Sequence, residues 1–155
     1  MFAEDIPDAW IFDTLDHCLK YQNKYLFQSK APMNMWKHLP NYKNIVVCTT
    51  IETNRYYPEI MRDSPSIEDR VWGMSNLRIM GFSRYVTIEP ILDFDLEHMV
   101  ELIKRCDPEQ VNIGADSGNN NLPEPPYEKV LELINQLNKS TVVSRKKNLE
   151  RLEKK

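Results

Sequence analysis

Residues 45–51 form a continuous run in which every residue except Cys48 is β-branched. The run does not alternate with polar residues, as it would in a strand with one solvated face. Uninterrupted runs of this kind are typical of strands in parallel sheets, which are covered on both faces. Parallel strands need long crossover connections, usually helices. The run therefore predicts a chain built from βα units.

The rest of the sequence supports this prediction, because short apolar runs alternate with helical patterns. Strands are predicted at residues 25–28, 45–51, 84–88, 111–114 and 141–143. Helices are predicted to begin near Pro7, Ser66, Asp95 and Tyr127, and Gly81 is placed to end the second of them. Residues 31–43 are predicted to form a loop with a helical turn at 35–36.

The order of these elements predicts an α/β fold with right-handed parallel crossovers. Two architectures fit, a partial TIM-like barrel and an open sheet of parallel βα units. We expect a single domain at 1–144, followed by a basic charged tail at 145–155 that is either helical or frayed.

Charge and cysteine content limit the compartment and the partners. The net charge of −3 favours neither nucleic acid nor an anionic membrane over the whole surface. No apolar stretch is long enough to span a bilayer, and the acidic N-terminus is unlike a secretory signal. Cys18, Cys48 and Cys106 are widely spaced, which predicts buried thiols in a reducing compartment. We expect a cytoplasmic protein.

Polar side chains follow each predicted strand, where the carboxyl ends of parallel strands form binding rims. The candidates are Ser29, Lys30, Thr50, Glu52, Asn54, Glu89, Asp93, Asp116, Ser117, Ser144 and Lys146. Carboxylates at such a rim can bind a ribose or an amine, and a lysine can bind an anion. The alternative is that these residues are solvated loop positions, since loops lie on the surface.

Glu52 and Glu89 differ from the other candidates because each ends an apolar strand, where a carboxylate needs a partner. Arg70 and Arg78 are the possible partners, so that a structural salt bridge and a catalytic role both remain open. Gly114 precedes Asp116 by two residues and allows a tight turn or the close approach of a ligand.

Other patterns carry less information. The three histidines have no metal-ligand spacing, and neither a phosphate-binding glycine loop nor a G-x-S-x-G elbow is present. Residues 55–57, Arg-Tyr-Tyr, could stack on a base or pack a loop. The basic residues of 145–155 could contact nucleic acid or form a solvated tail.

Several segments together resemble a phage- and bacteria-encoded group of radical-SAM-like proteins of unknown function, related in outline to spore photoproduct lyase. The most specific are Glu-Pro-Ile-Leu at 89–92 and Gly-Ala-Asp-Ser-Gly at 114–118. The others, in the same order as in that family, are residues 1–2 with 6–10, 27–32, 47–54, 85–88, 111–113 and 147–149.

The resemblance implies a barrel whose first strand precedes three close cysteines that hold a [4Fe–4S] cluster completed by S-adenosylmethionine. This chain has no C-x-x-x-C-x-x-C motif, and its first residues match the loop after the family's second strand. An iron–sulfur cluster is therefore not supported by this chain alone, and no metal site is expected. The family pattern places S-adenosylmethionine near Glu52, Asn54, Glu89, Asp116 and Ser117.

Three functions remain open. The chain could be the C-terminal segment of a radical-SAM-like protein without cluster chemistry of its own. It could also be a phage-encoded binding or regulatory protein on a degenerate barrel scaffold, or a nucleotide- or S-adenosylmethionine-binding module. If the first strands of the barrel are absent, the strand around Phe27 has an unpaired edge and the sheet an uncovered apolar face. A second copy, or a separate N-terminal half, is expected to cover them.

Overall fold

The computed structural model describes residues 2–3, 5–39, 44–118 and 120–154. Five strands are formed, namely β1 (Tyr25–Gln28), β2 (Ile45–Thr50), β3 (Ser83–Ile88), β4 (Gln110–Ile113) and β5 (Val142–Arg145). The α-helices are α1 (Asp8–Leu19), α2 (Pro32–His38), α3 (Pro58–Met61), α4 (Ile67–Ile79), α5 (Leu96–Cys106), α6 (Tyr127–Leu137) and α7 (Glu150–Glu153). A 3-10 turn at Lys147–Leu149 precedes α7.

The strands form one sheet in the order β1-β2-β3-β4-β5, and every neighbouring pair is parallel. The predicted α/β class and the open sheet of parallel βα units are confirmed. Right-handed crossovers that always advance in one direction leave their helices on one face of the sheet. The helices obey this rule, because α2 contacts α4, α4 contacts α5, and α5 contacts α6 in a single layer.

The core lies between the sheet and this helical layer. Val47, Val86, Val111 and Ile113 point toward the helices from three adjacent strands and are fully buried. Burying an apolar side chain of this size stabilises the fold by about 1.5–3 kcal/mol. At Gly73 in α4 an added Cβ would lie 2.8 Å from Pro32 Cγ, so the absent side chain lets α2 and α4 pack closely.

Two predicted helix ends are confirmed by their local geometry. Ser66 caps α4, because its Oγ accepts a hydrogen bond from the backbone N–H of Asp69 (3.1 Å). Gly81 follows α4 with a φ of 84°, the left-handed conformation that glycine adopts readily. Asp95 stands at the start of α5, but its side chain makes no capping bond there.

The structure differs from the sequence prediction in two segments. The predicted loop at 31–43 contains the seven-residue helix α2 in place of a single turn; its positions 40–43, like 1, 4, 119 and 155, lie outside the described residues. In the segment predicted as a tail, the helical alternative is observed, and Leu149 and Leu152 are buried with the core. The physical reason is amphipathicity, since these two apolar residues are three apart and share one helix face.

The predicted burial of the thiols holds for Cys48 and Cys106, whereas Cys18 is only partly buried. None of the helices within the described ranges is both long and apolar enough to cross a bilayer.

Candidate functional site at the carboxyl ends of the strands

The sheet face opposite the helices, called the open face below, is polar toward the carboxyl ends of the strands. Thr50, Thr87, Asn112 and Ser144 occupy matching register positions on four adjacent strands. They alternate with the buried residues that face the helices, so they point the other way. From β1, the Gln28 Nε2 donates a hydrogen bond to Thr50 Oγ1 (3.2 Å). The row offers donors and acceptors across the width of the sheet.

Glu52, just after β2, is held in a buried ion pair. Its Oε2 accepts a hydrogen bond from Arg70 Nη1 (2.7 Å), and its Oε1 accepts one from Lys30 Nζ (2.7 Å). The side chains of Glu52 and Arg70 are 2% and 0% exposed. Of the two arginines named as possible partners, Arg70 pairs with Glu52, whereas Arg78 meets Asp107 at the surface (3.7 Å).

Arg70 reaches Glu52 from α4 and also holds the surrounding backbone. Its Nη1 donates to the carbonyl of Thr50 (2.9 Å), and its Nε donates to the carbonyl of Pro65 (2.8 Å). Its Nη2 is buried and has no hydrogen-bond partner among the described residues. The guanidinium therefore joins β2, the loop before α4 and Glu52 into one buried unit.

Glu89, just after β3, is also paired but remains accessible. Its Oε2 lies 2.6 Å from Lys146 Nζ, and its Oε1 accepts a hydrogen bond from Asn148 Nδ2 (3.0 Å). The side chain of Glu89 is 21% exposed and that of Lys146 is 50% exposed. A Cβ added at Gly114 would lie 2.6 Å from Glu89 Oε1, so the carboxylate lies directly against this glycine.

Asn148 fixes the position of Glu89 from the segment after β5. Besides Glu89, its side-chain amide bonds both backbone groups of Ala115: its Nδ2 donates to the carbonyl (2.7 Å) and its Oδ1 accepts from the N–H (3.2 Å). Asn148 lies in the segment 147–149 of the family resemblance but is not among the residues predicted for the site. No local pattern could have done so, because the two partners are 59 residues apart.

Asn54 and Asp93 lie in a separate group, called the loop cluster below. Arg55 forms ion pairs with Asp93 and with Asp95, the latter at 2.6 Å, and Lys129 meets Asp93 at 2.7 Å. Asn54 Oδ1 accepts the backbone N–H of Asp95 (2.7 Å). The hydrogen bond from Arg55 lowers the pKa of Asp95 to about 2. These contacts tie the loops after β2 and β3 to the helices, and none of them involves Glu52 or Glu89.

Residues 55–57 are predicted either to stack on a base or to pack a loop. Loop packing is what the structure shows for Arg55 and Tyr57. Arg55 belongs to the loop cluster, and the Tyr57 hydroxyl donates to the backbone carbonyl of Asp93 (3.4 Å). Tyr56 is largely exposed to solvent.

Asp116 closes its own turn. Its carboxylate accepts hydrogen bonds from the backbone N–H of Gly118 (3.0 Å) and from Asn120 Nδ2 (2.7 Å). Burial by itself would raise the pKa of Asp116, but these bonds outweigh it and the pKa is lowered. Ser117 is exposed in the same turn. After β1, Ser29 Oγ accepts a hydrogen bond from the backbone N–H of Ala31 (3.0 Å). Asp116 and Ser29 are thus engaged in local backbone structure.

A groove of about 1020 Å³ lies beside the carboxyl end of β1, the edge strand opposite β5. Lys30, Arg62 and the half-exposed Trp72 are among its lining residues. Lys30 therefore contacts both Glu52 and the groove. A groove of this size has room for a ligand as large as a nucleoside.

The cysteines do not fit an iron–sulfur cluster. Cys48 lies in β2, Cys106 at the end of α5, and Cys18 in α1. Burial raises the pKa of Cys106 to about 12, which keeps it a neutral thiol. In the part of the chain that the structure describes, no three metal-ligating side chains converge. The chain by itself therefore does not supply the thiolates that such a cluster requires.

No protein-family model, no curated protein and no solved structure matches this chain. Of the candidate residues, Lys30 pairs with the buried Glu52, and Glu89 remains accessible beside Lys146. Asn54 and Asp93 join the loop cluster.

Proposed function

We propose that this chain is the later part of a radical-SAM-like barrel and that the rim of its open face binds S-adenosylmethionine. The main support for this proposal is the position of Glu89. This carboxylate lies against Gly114 at the end of β3, is oriented by Asn148 and Lys146, and remains partly open to solvent.

The chemistry of the ligand matches these groups. S-Adenosylmethionine carries an ammonium, a carboxylate and a ribose diol, so it needs both an acceptor and a cation. Glu89 can accept from the ammonium or from a ribose hydroxyl, and the half-exposed Lys146 can meet the carboxylate. Neighbouring charges of opposite sign suit a zwitterion better than they suit a simple anion.

The geometry also narrows the set of residues that the resemblance implied. Glu52 is 2% exposed and enclosed by Arg70 and Lys30, whereas Glu89 is 21% exposed. The carboxylate of Asp116 accepts bonds from its own turn. Asn54 is held within the loop cluster. The proposed ligand contacts are therefore Glu89 and Lys146.

The proposal contains no radical step, because the cysteines of this chain do not converge. The same observation supports a second candidate, a binding or regulatory protein that keeps the scaffold and the rim. The two candidates share the binding site and differ in whether another polypeptide supplies a cluster.

Isothermal titration calorimetry with S-adenosylmethionine tests the site. We expect saturable binding to the wild-type chain, and a loss of about tenfold or more in affinity, or about 1.4 kcal/mol, in Glu89→Gln. The control is Glu68→Gln, which removes an exposed partner of Arg105 on the helical layer and should bind as the wild type does. Equal affinities in the wild type and Glu89→Gln, or no binding to either, would contradict the proposal.

A further inference from the structure

The ion pair between Glu89 and Lys146 extends the polar row of the open face by one position. Across β3, β4 and β5 that row consists of the register partners Thr87, Asn112 and Ser144. Two residues further along the same strands come Glu89, Gly114 and Lys146. The backbone ladder continues this far, because the N–H groups of Gly114 and Lys146 donate to carbonyls of β3 and β4 (3.1 and 2.8 Å). Residues two apart on a strand share a face, so Glu89 and Lys146 project from the open face.

Gly114 lets these two charges meet across the strand between them. The strands β3 and β5 are separated by β4, which places them roughly 10 Å apart. Even so, Glu89 Oε2 lies 2.6 Å from Lys146 Nζ. A Cβ added at Gly114 would lie 2.6 Å from Glu89 Oε1, so a side chain there would collide with the carboxylate. The pair therefore lies directly over the backbone of β4.

The two members of the pair are held differently. Glu89 Oε1 accepts a hydrogen bond from Asn148 Nδ2 (3.0 Å), and the amide of Asn148 is itself fixed by both backbone groups of Ala115. Among the described residues, Glu89 is the only ion-pair or hydrogen-bond partner of Lys146 Nζ, and the lysine side chain is 50% exposed. Lysine carries its compact charge on a flexible stem. The carboxylate is therefore fixed, whereas the ammonium can move away without breaking another contact.

We propose that this pair is a receptor for an α-amino-acid head group, which replaces the internal ion pair when it binds. The ammonium of the ligand takes the place of Lys146 at Glu89, and the displaced Lys146 pairs with the carboxylate of the ligand. One internal ion pair is thus exchanged for two with the ligand. This recognition rests on the proposed function, since S-adenosylmethionine carries such a head group, and it names the part of the ligand that the pair binds.

The exchange requires both charges of the ligand. An ammonium alone would displace Lys146 and leave it without a counterion, and a carboxylate alone would draw Lys146 away from Glu89. In either case one ion pair replaces another, and an accessible ion pair contributes little. The adjacent row of Thr87, Asn112 and Ser144 is neutral and supplies no replacement charge. The site therefore selects zwitterionic head groups over singly charged ones.

Isothermal titration calorimetry with two matched pairs of ligands tests this selection. S-Adenosylmethionine is compared with its decarboxylated form, which keeps the ammonium, and S-adenosylhomocysteine with 5′-methylthioadenosine, which lacks both charges. We expect the affinity of the wild-type chain to fall about tenfold or more from the first to the second member of each pair. Equal affinities within both pairs would overturn the receptor and leave the proposed function standing, because the nucleoside would then provide the binding.

Free amino acids separate the receptor from the proposed function in the opposite direction. Methionine has the head group without the nucleoside, and N-acetylmethionine has lost the ammonium. Binding of methionine but not of N-acetylmethionine would support the receptor, even if S-adenosylmethionine did not bind and the proposed function failed. A chain that binds none of these compounds would overturn both.

The variant Lys146→Met tests the exchange itself. It removes the ligand's cationic partner and also the internal competitor for Glu89. We therefore expect the affinity for S-adenosylmethionine to fall about tenfold and the affinity for its decarboxylated form to rise about threefold. A purely structural role of Lys146 would weaken both ligands, so this opposite response identifies the exchange.

The matched control is Lys139→Met, which removes a lysine that precedes β5 and donates to Gln136 Oε1 (2.8 Å). It should bind both ligands as the wild type does, and circular dichroism checks that both variants are folded. A Lys146→Met chain in which the two affinities fall together, or in which neither changes, would overturn the proposed exchange.

Discussion

Glu52 and Glu89 occupy similar places, each within two residues of the end of a strand, yet they have different environments. Glu52 is closed off between Arg70 and Lys30, whereas Glu89 lies against a glycine and is balanced by a half-exposed lysine. The difference teaches that the same sequence signal, an acid at the end of an apolar strand, can specify either a buried ion pair or an accessible one.

The environments of the two carboxylates differ because Glu52 loses nearly all of its hydration on folding and Glu89 loses only part of it. Removing an ion pair from water is costly, so a buried pair persists only when hydrogen bonds and Coulomb attraction offset that cost. Glu52 meets this condition through two cationic partners. Glu89 keeps part of its hydration, so its partners can be exchanged for a ligand at lower cost.

The largest expected effect follows from breaking the buried pair. In Glu52→Gln the guanidinium of Arg70 would remain buried without its countercharge, and we expect the free energy of unfolding to fall by about 3–5 kcal/mol. Urea denaturation measures the loss. The matched control Glu68→Gln breaks an exposed pair with Arg105 and should change stability by less than about 1 kcal/mol. Equal effects of the two substitutions would mean that Glu52 is not structurally buried.

A second substitution tests the close approach at Gly114. In Gly114→Ala the new Cβ would meet Glu89 Oε1 at 2.6 Å and Asn148 Oδ1 at 3.0 Å, so the carboxylate must move. Overpacking of this kind costs about 1–3 kcal/mol, and we expect the lower end because a side chain can shift. Calorimetry should also show weaker binding of S-adenosylmethionine.

The control for Gly114→Ala is Gly73→Ala, where the added Cβ would meet Pro32 Cγ at 2.8 Å and the backbone N of Met33 at 3.0 Å. It should destabilise the chain through the contact between α2 and α4 and leave ligand affinity unchanged. A Gly114→Ala chain with wild-type affinity would show that the position of Glu89 does not matter for binding.

A smaller effect on stability is expected at Glu89 itself. Glu89→Gln keeps the shape of the side chain and removes an ion pair with the half-exposed Lys146. Because accessible pairs contribute little, urea denaturation should show a change of less than about 1 kcal/mol. A loss as large as that of Glu52→Gln would contradict the distinction between the two glutamates.

The smallest expected effect is the loss, in acid, of the stability that the loop cluster contributes. The pKa of Asp95 is lowered from 3.8 to about 2 by its hydrogen bond with Arg55, so its contribution to stability is present above about pH 4. It is lost as the pH falls toward about 2, because the folded state must then take up the proton. We expect wild type and Asp95→Asn to differ at neutral pH and to converge at about pH 2. A difference that grows with acid would reverse the sign of this linkage.

Local patterns were sufficient for much of the fold. The β-branched run at 45–51 predicted β2, and Ser66 and Gly81 predicted the ends of α4, because strand burial and helix capping depend on neighbours within a few residues. The helix α2 was missed because the prolines that punctuate residues 31–43 are typical of a loop. Pro32 in fact occupies the first turn of α2, where its missing N–H has no intrahelical partner to lose.

The sequence by itself determined the βα alternation, the parallel direction of the strands and the set of polar residues that follow them. Only the tertiary structure decided which of these residues share a site. Arg70 is 18 residues from Glu52, and Asn148 is 59 residues from Glu89, so no local pattern links either pair. The accessibility of a carboxylate depends on which distant side chain the fold brings to it, and hydration is set by that packing and not by the neighbours in the chain.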